Sequence, residues 1–157
     1  MREWKIKEMT QVKEHVHEEG PILVWVNCSY EEVTLLTREA LGVKAYIHSG
    51  NEPPEGETPS SVLLCSNGED IASRIRRVHA LAPDAPILVF GQREEPRLAT
   101  EALRAGACGF VHAGMRPEQI TLALSLVSEG EILIPKNLLG ELLGQRLFTR
   151  RPKLLDP

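Results

Sequence analysis

The sequence is poor in several residue types, and each shortage excludes a class of protein. Its 157 residues include three cysteines, two tryptophans, two tyrosines and three phenylalanines. The cysteines, Cys28, Cys65 and Cys108, are odd in number and far apart, which excludes a disulfide scaffold and fits a reducing compartment. No apolar run approaches the roughly 20 residues of a membrane span, and residues 1–20 (MREWKIKEMTQVKEHVHEEG) are too charged for a signal peptide, so a cytoplasmic location is expected. A strong excess of one charge is also missing. With 18 basic and 22 acidic residues the net charge is −4, so nothing in the overall charge points to nucleic-acid binding. No glycine-rich phosphate loop follows the first apolar run, where Asn27-Cys-Ser-Tyr-Glu-Glu32 stands instead. No elbow motif supports a Ser–His–acid nucleophile. His15 and His17 lie two apart and face different sides of a helix, so no metal and no cofactor are expected. Of the 22 acids only three are aspartates, Asp70, Asp84 and Asp156.

What is present is an alternation. Hydrophobic residues make up 42% of the chain and charged residues 25%, ordinary for a globular domain able to bury on the order of 70% of its unfolded surface. Between Pro21 and Gly130, short apolar runs alternate with amphipathic stretches, the pattern of βαβ units around a parallel sheet. The runs 22–26, 43–47, 61–65, 87–90 and 109–112 are read as strands, the second an edge because it alternates. Helices are predicted over 31–41, 69–81, 94–105 and 117–128, punctuated by Gly42, Pro83, Gly106 and Gly130. Between the second and third strands, residues 49–60 carry three prolines and two glycines, so a loop replaces the expected crossover helix and leaves one sheet face partly uncovered. An N-terminal helix with Ile6, Met9, Val12 and Val16 on one stripe could cover it or could dock on a partner. After Gly130 come Ile132-Leu133-Ile134-Pro135, a helix rich in leucine (Leu138, Leu139, Leu142, Leu143, Leu147) and a short basic tail. The chain thus divides into an extension (1–20), a central domain (21–130) and a linker or dimerisation helix with its tail (131–157).

The stretch Ala102-Leu-Arg-Ala-Gly-Ala-Cys-Gly-Phe-Val-His-Ala-Gly-Met-Arg-Pro-Glu-Gln-Ile120, followed by Gly130-Glu-Ile-Leu-Ile-Pro135, resembles response-regulator receiver domains. It is most similar to those joined to LuxR-type helix-turn-helix domains, and fainter agreement covers residues 22–135. The resemblance implies a flavodoxin-like (CheY-like) α/β fold, five parallel strands in the order 2-1-3-4-5, with the functional pocket at the strands' carboxyl ends. Such receivers phosphorylate themselves on an aspartate ending the third strand. Two acids ending the first strand hold Mg²⁺, a Ser or Thr ends the fourth, and a Lys ends the fifth. Here the acid pair matches Asn27 and Cys28, the phosphoacceptor Cys65, the hydroxyl Gly91 and the Lys Ala113. His112 should point to the opposite face of its strand from Ala113.

A degenerate receiver pocket is therefore expected, in a module of signal transduction or transcription regulation that is not an enzyme. It would act through a homodimer or another regulatory protein, with no membrane partner and no direct nucleic-acid contact, the helix-turn-helix domain of LuxR-type proteins being absent from these residues. The interaction surface is expected at Leu122 and Leu126 on the 117–128 helix and at Leu138, Leu139, Leu142 and Leu143. A second reading makes the vacated pocket a thiol-redox or small-ligand sensor. Cys28 and Cys65 end strands that the receiver order makes neighbours, about 4.8 Å apart, within reach of a disulfide. The third and weakest reading is a functional phospho-accepting response regulator.

Overall fold

A computed structural model describes residues 22–29, 31–41, 45–66, 69–135 and 153–155. Five parallel strands form one sheet: β1 (Ile22–Asn27), β2 (Ala45–Ser49), β3 (Ser61–Cys65), β4 (Ile87–Gly91) and β5 (Gly109–His112), in the order β2-β1-β3-β4-β5. Helices α1 (Glu31–Leu41), α2 (Ile71–Leu81), α3 (Pro96–Arg104) and α4 (Pro117–Ser128) connect or follow them. This is the expected α/β architecture, with the alternating strand β2 at an edge. β3 and β4 are buried at every residue, as their unbroken apolar runs require of strands covered on both faces.

Strand alternation sends successive side chains into two cores. Val24, Val26, Leu63, Leu88 and Val111 meet Val33 of α1 and Ile120, Ala123 and Val127 of α4. On the opposite face Trp25, Val62, Leu64, Val89 and Phe110 meet Ile71, Ile75 and Val78 of α2 and Ala99, Ala102 and Leu103 of α3. Each fully buried Leu, Ile or Val contributes roughly 1.5–3 kcal/mol relative to exposure, so these interfaces dominate the fold's stability.

Helix ends follow local chemistry. α2 begins two residues after Glu69, because Asp70 is its N-cap and its carboxylate accepts hydrogen bonds from Ser73 N at 3.1 Å and Ser73 Oγ at 3.0 Å. α3 begins at Pro96, where a missing N–H costs nothing, not at Glu94. It ends at Arg104 with Ala105 as C-cap, and the φ of +110° at Gly106, which favours glycine, lets Ala107 N donate to Ala102 O at 2.9 Å. Gly109 has a different reason: a Cβ there would lie 2.9 Å from Leu88 Cδ1 and 3.2 Å from Leu133 Cβ. The Ala-Gly-Ala-x-Gly motif thus encodes a helix stop and a close packing position.

Residues 50–60 form no helix, as expected. Trp25 is fully buried in the core beneath α2 and α3, and its indole N–H donates to Gly50 O at 2.9 Å. At the loop's other end Ser60 N donates to Leu23 O and Ser60 Oγ accepts from Leu23 N, so the loop is tied to β1 at both ends.

Past the boundary expected at residue 130 the core continues. Leu133 and Ile134 are buried, one in each core, and Leu133 N donates to Cys108 O at 2.6 Å. They belong to β6 (Leu133–Pro135), which pairs in parallel with β7 (Lys153–Leu155), so part of the expected basic tail is a strand. The expected N-terminal helix with Ile6, Met9, Val12 and Val16, and the segment with Leu138, Leu139, Leu142, Leu143 and Leu147, lie outside the described residues. Among the described residues no helix is long and apolar enough to cross a membrane.

Candidate functional site

The strand register gathers the positions singled out in the sequence at one edge of the sheet. Asn27 pairs with Leu64, Cys65 with Phe90, and Gly91 with His112, so Asn27, Cys28, Cys65, Gly91 and Ala113 all fall at the carboxyl ends of adjacent strands. What each contributes differs sharply from a carboxylate pocket.

Cys28 and Cys65 are joined in a disulfide across the β1–β3 pair, with a Cα–Cα separation of 5.1 Å. That separation lies inside the range of about 4.4–6.8 Å that disulfides adopt. Of the sequence-based readings, the possible Cys28–Cys65 pair is the one the structure bonds, and Cys108 stands outside the disulfide. Cys65 is 2% exposed, whereas Cys28 is half-buried at the rim of the same core. Their geometry follows from register alone: the residue after Asn27 faces the residue after Leu64.

Asn27 is buried and engaged. Arg74 of α2, itself only 6% exposed, donates from Nη2 to Asn27 Oδ1 at 2.9 Å and to Asn27 O at 3.2 Å. Arg74 Nη1 donates to Glu69 Oε2 at 3.3 Å, and Arg77 Nη1 lies 3.6 Å from the same oxygen. A guanidinium therefore stands against Asn27, and the carboxylate at this corner, Glu69, faces two cations. Asn27 presents its oxygen to a cationic side chain, leaving it poorly placed to serve a metal.

Gly91 has no room for a side chain. A Cβ there would lie 2.6 Å from Phe110 Cζ, 3.0 Å from Phe110 Cε2 and 3.2 Å from the Arg93 carbonyl oxygen. Phe110 is 3% exposed and held in the core, so it cannot swing aside freely. Ala113 is exposed and its backbone N donates to Gly91 O at 3.1 Å, so this position offers no cation. His112 lies on the Phe110 side of β5, with ring centroids 6.4 Å apart, and its Nδ1 accepts from Gly114 N at 3.2 Å.

Neither described aspartate lies at the pocket. Asp70 caps α2, Asp84 lines a cleft of about 500 Å³ at the opposite sheet edge with His79, Pro86 and Cys108, and Asp156 lies outside the described residues. Among the described residues no group of three or more His, Cys, Asp or Glu side chains is placed to hold a metal ion. The expected interaction surface on α4 requires correction: Leu122 and Leu126 are 3% and 2% exposed and belong to the core. Both stripes of this helix are apolar and both are covered. Leu138, Leu139, Leu142 and Leu143 lie outside the described residues.

Arg74 is the site residue that sequence reasoning missed. Its position was the available signal, since 71, 74, 75 and 78 form one stripe at helical spacing and the other three are Ile, Ile and Val. A charged residue inside an apolar stripe points to a buried polar partner.

The architecture at hand, a five-stranded parallel sheet of order 2-1-3-4-5, is the CheY-like receiver fold. A response regulator from Thermotoga maritima superposes with a TM-score of 0.60 at 18% identity, over 69% of this chain and 98% of that one. A LuxR-family two-component response regulator from Aurantimonas sp. SI85-9A1 gives 0.63 at 17% identity, over 82% and 100%. Full-length FixJ from B. japonicum gives 0.59 at 16% identity, over 81% of this chain and 66% of that one. No family profile and no curated protein matches the sequence.

Proposed function

We propose that this chain is a receiver-like regulatory module of signal transduction that works through contact with proteins, a second copy of itself or another regulator, and does not accept a phosphoryl group. The observation that carries the reading is the chemistry of the five strand-end positions. Asn27, Cys28, Cys65, Gly91 and Ala113 supply no carboxylate to hold Mg²⁺, no aspartate to attack phosphorus and no cation to neutralise the transferred group. A hard divalent cation requires oxygen ligands, and phosphoryl transfer depends on charge stabilisation by that metal and a neighbouring cation. Arg74 adds a positive charge at the corner where a metal would sit, which opposes its binding.

Beryllofluoride with Mg²⁺ tests the reading, since it imitates a phosphoryl group on an aspartate. Amide resonances of Asn27, Cys28, Cys65, Gly91 and Ala113 are expected to stay in place through the titration. Saturable shifts at these residues would overturn the reading. For the contact half of the proposal, sedimentation of the full chain is expected to show a self-associated species or, with a cognate regulator present, a complex. Persistent monomer in both settings would count against it.

A further inference from the structure

We propose that Cys28 and Cys65 form a reversible dithiol–disulfide site, a modification site standing where a receiver carries its phosphoacceptor. The inference rests on the receiver-like placement of the pocket but not on the absence of phosphotransfer. Three observations converge on it. The parallel β1–β3 register brings the two residues opposite each other with Cα atoms 5.1 Å apart, so closing the bond demands no movement of either strand. Both flanks of the pair are held: Asn27, immediately before Cys28, receives two hydrogen bonds from the buried Arg74, and Leu64, immediately before Cys65, is fully buried. The pair is also asymmetric. Cys28 is half-buried at the rim and can meet a small reagent, while Cys65 is 2% exposed and can meet only Cys28.

The asymmetry sets the order of events with a low-molecular-weight disulfide as oxidant. The Cys28 thiol loses its proton to solvent, and its thiolate attacks one sulfur of the small disulfide. An S–S bond forms between Cys28 and that sulfur as the small disulfide's own S–S bond breaks, releasing one small thiolate. Cys65, deprotonated in turn, attacks Cys28 Sγ. The Cys28–Cys65 bond forms, the mixed disulfide breaks and the second small thiolate leaves. Two protein thiols are oxidised, one small disulfide is reduced, and the two protons end on the two thiolates released. Cys108 takes no part.

The consequence falls on the β1–α1 connection. Cys28 leads directly into Ser29 and α1, and Cys28, Cys65 and Val33 of α1 share one core. The bond fixes the start of that connection to the end of β3, and reduction frees it while the rest of the sheet keeps its hydrogen bonds.

Oxidised glutathione is a suitable probe, with the 157-residue chain starting from the reduced state and no Mg²⁺ or phosphodonor present. Intact mass after alkylation is expected to show two thiols lost together and Cys108 still alkylated. In Cys65→Ser a single glutathione adduct is expected to accumulate on Cys28, while Cys28→Ser leaves Cys65 at least tenfold slower to react. Hydrogen exchange is expected to be at least tenfold faster over 28–41 in the reduced chain, with β4 and β5 unchanged. Cys108→Ser, remote from the pair, is expected to behave as the parent in each assay. Three alkylated thiols at every glutathione ratio, equal reactivity of Cys28 and Cys65 in the two variants, or identical exchange over 28–41 in both states would each overturn the proposal. Because no phosphodonor is present, failure here leaves the phosphotransfer reading untouched, and phosphorylation in its own assay leaves this one untouched.

Discussion

Gly91 and Arg74 carry most of what is unusual at the residue scale. At position 91 the limit is steric. Installing the hydroxyl of a receiver as Gly91→Thr drives a Cβ toward Phe110, and overpacking of this kind costs about 1–3 kcal/mol. Urea unfolding is expected to show that loss, and the penalty should shrink when Phe110→Leu accompanies it; an unchanged midpoint in Gly91→Thr would mean the ring yields without cost. Arg74 is limited by polarity. Arg74→Met keeps the length of the side chain but strands two buried acceptors on Asn27, a loss of about 1–3 kcal/mol that the same unfolding measurement can read. The ion pair to Glu69 adds little to this figure, since Glu69 is half exposed and its charge is screened by solvent. Glu69→Gln is accordingly expected to cost under about 1 kcal/mol, which separates the two partners of one guanidinium.

At the scale of elements, the pattern of residues was legible where a single force decides it. The runs 61–65 and 109–112 match β3 and β5 residue for residue, and 31–41 and 117–128 match α1 and α4, because apolar continuity and helix punctuation act locally. The ends of α2 and α3 shifted by about two residues where a side-chain cap or a proline, not hydrophobicity, sets the first turn. Burial around α4 was only half legible: Leu122 and Leu126 stand on a different stripe from Ile120, Ala123 and Val127, a hint that both stripes are covered, and the core covers both rather than leaving one as an interaction surface. The candidate pocket was legible as a set of positions because strand ends follow from strand order. Its chemistry was only partly so. The neighbouring cysteines could be seen from topology, but Arg74 crossing from α2 to Asn27 and Phe110 filling the space above Gly91 are contacts between elements remote in sequence. The disulfide spans a separation of 37 residues, and closing a loop of that length stabilises a folded chain by about 4 kcal/mol in the chain-entropy account. Reduction without denaturant is therefore expected to lower the thermal midpoint clearly, by several degrees or more; a midpoint indifferent to reductant would show that the bond constrains little of the unfolded chain.

For the whole molecule, the fold is that of receiver domains, a five-stranded parallel sheet between two helical layers. Both cores are continuous, the sheet order is intact, and the core extends through Leu133 and Ile134 to β6. At the carboxyl edge of the sheet stand a disulfide, an amide held by a guanidinium, a glycine under a phenyl ring and an alanine. The two described aspartates sit at a helix cap and at the opposite edge. The most direct test of the central claim is intact-mass measurement of the reduced and the oxidised chain after incubation with Mg²⁺ and a small acyl phosphate. Unchanged mass in both states is expected. A stoichiometric gain of one phosphoryl group in either state would contradict it.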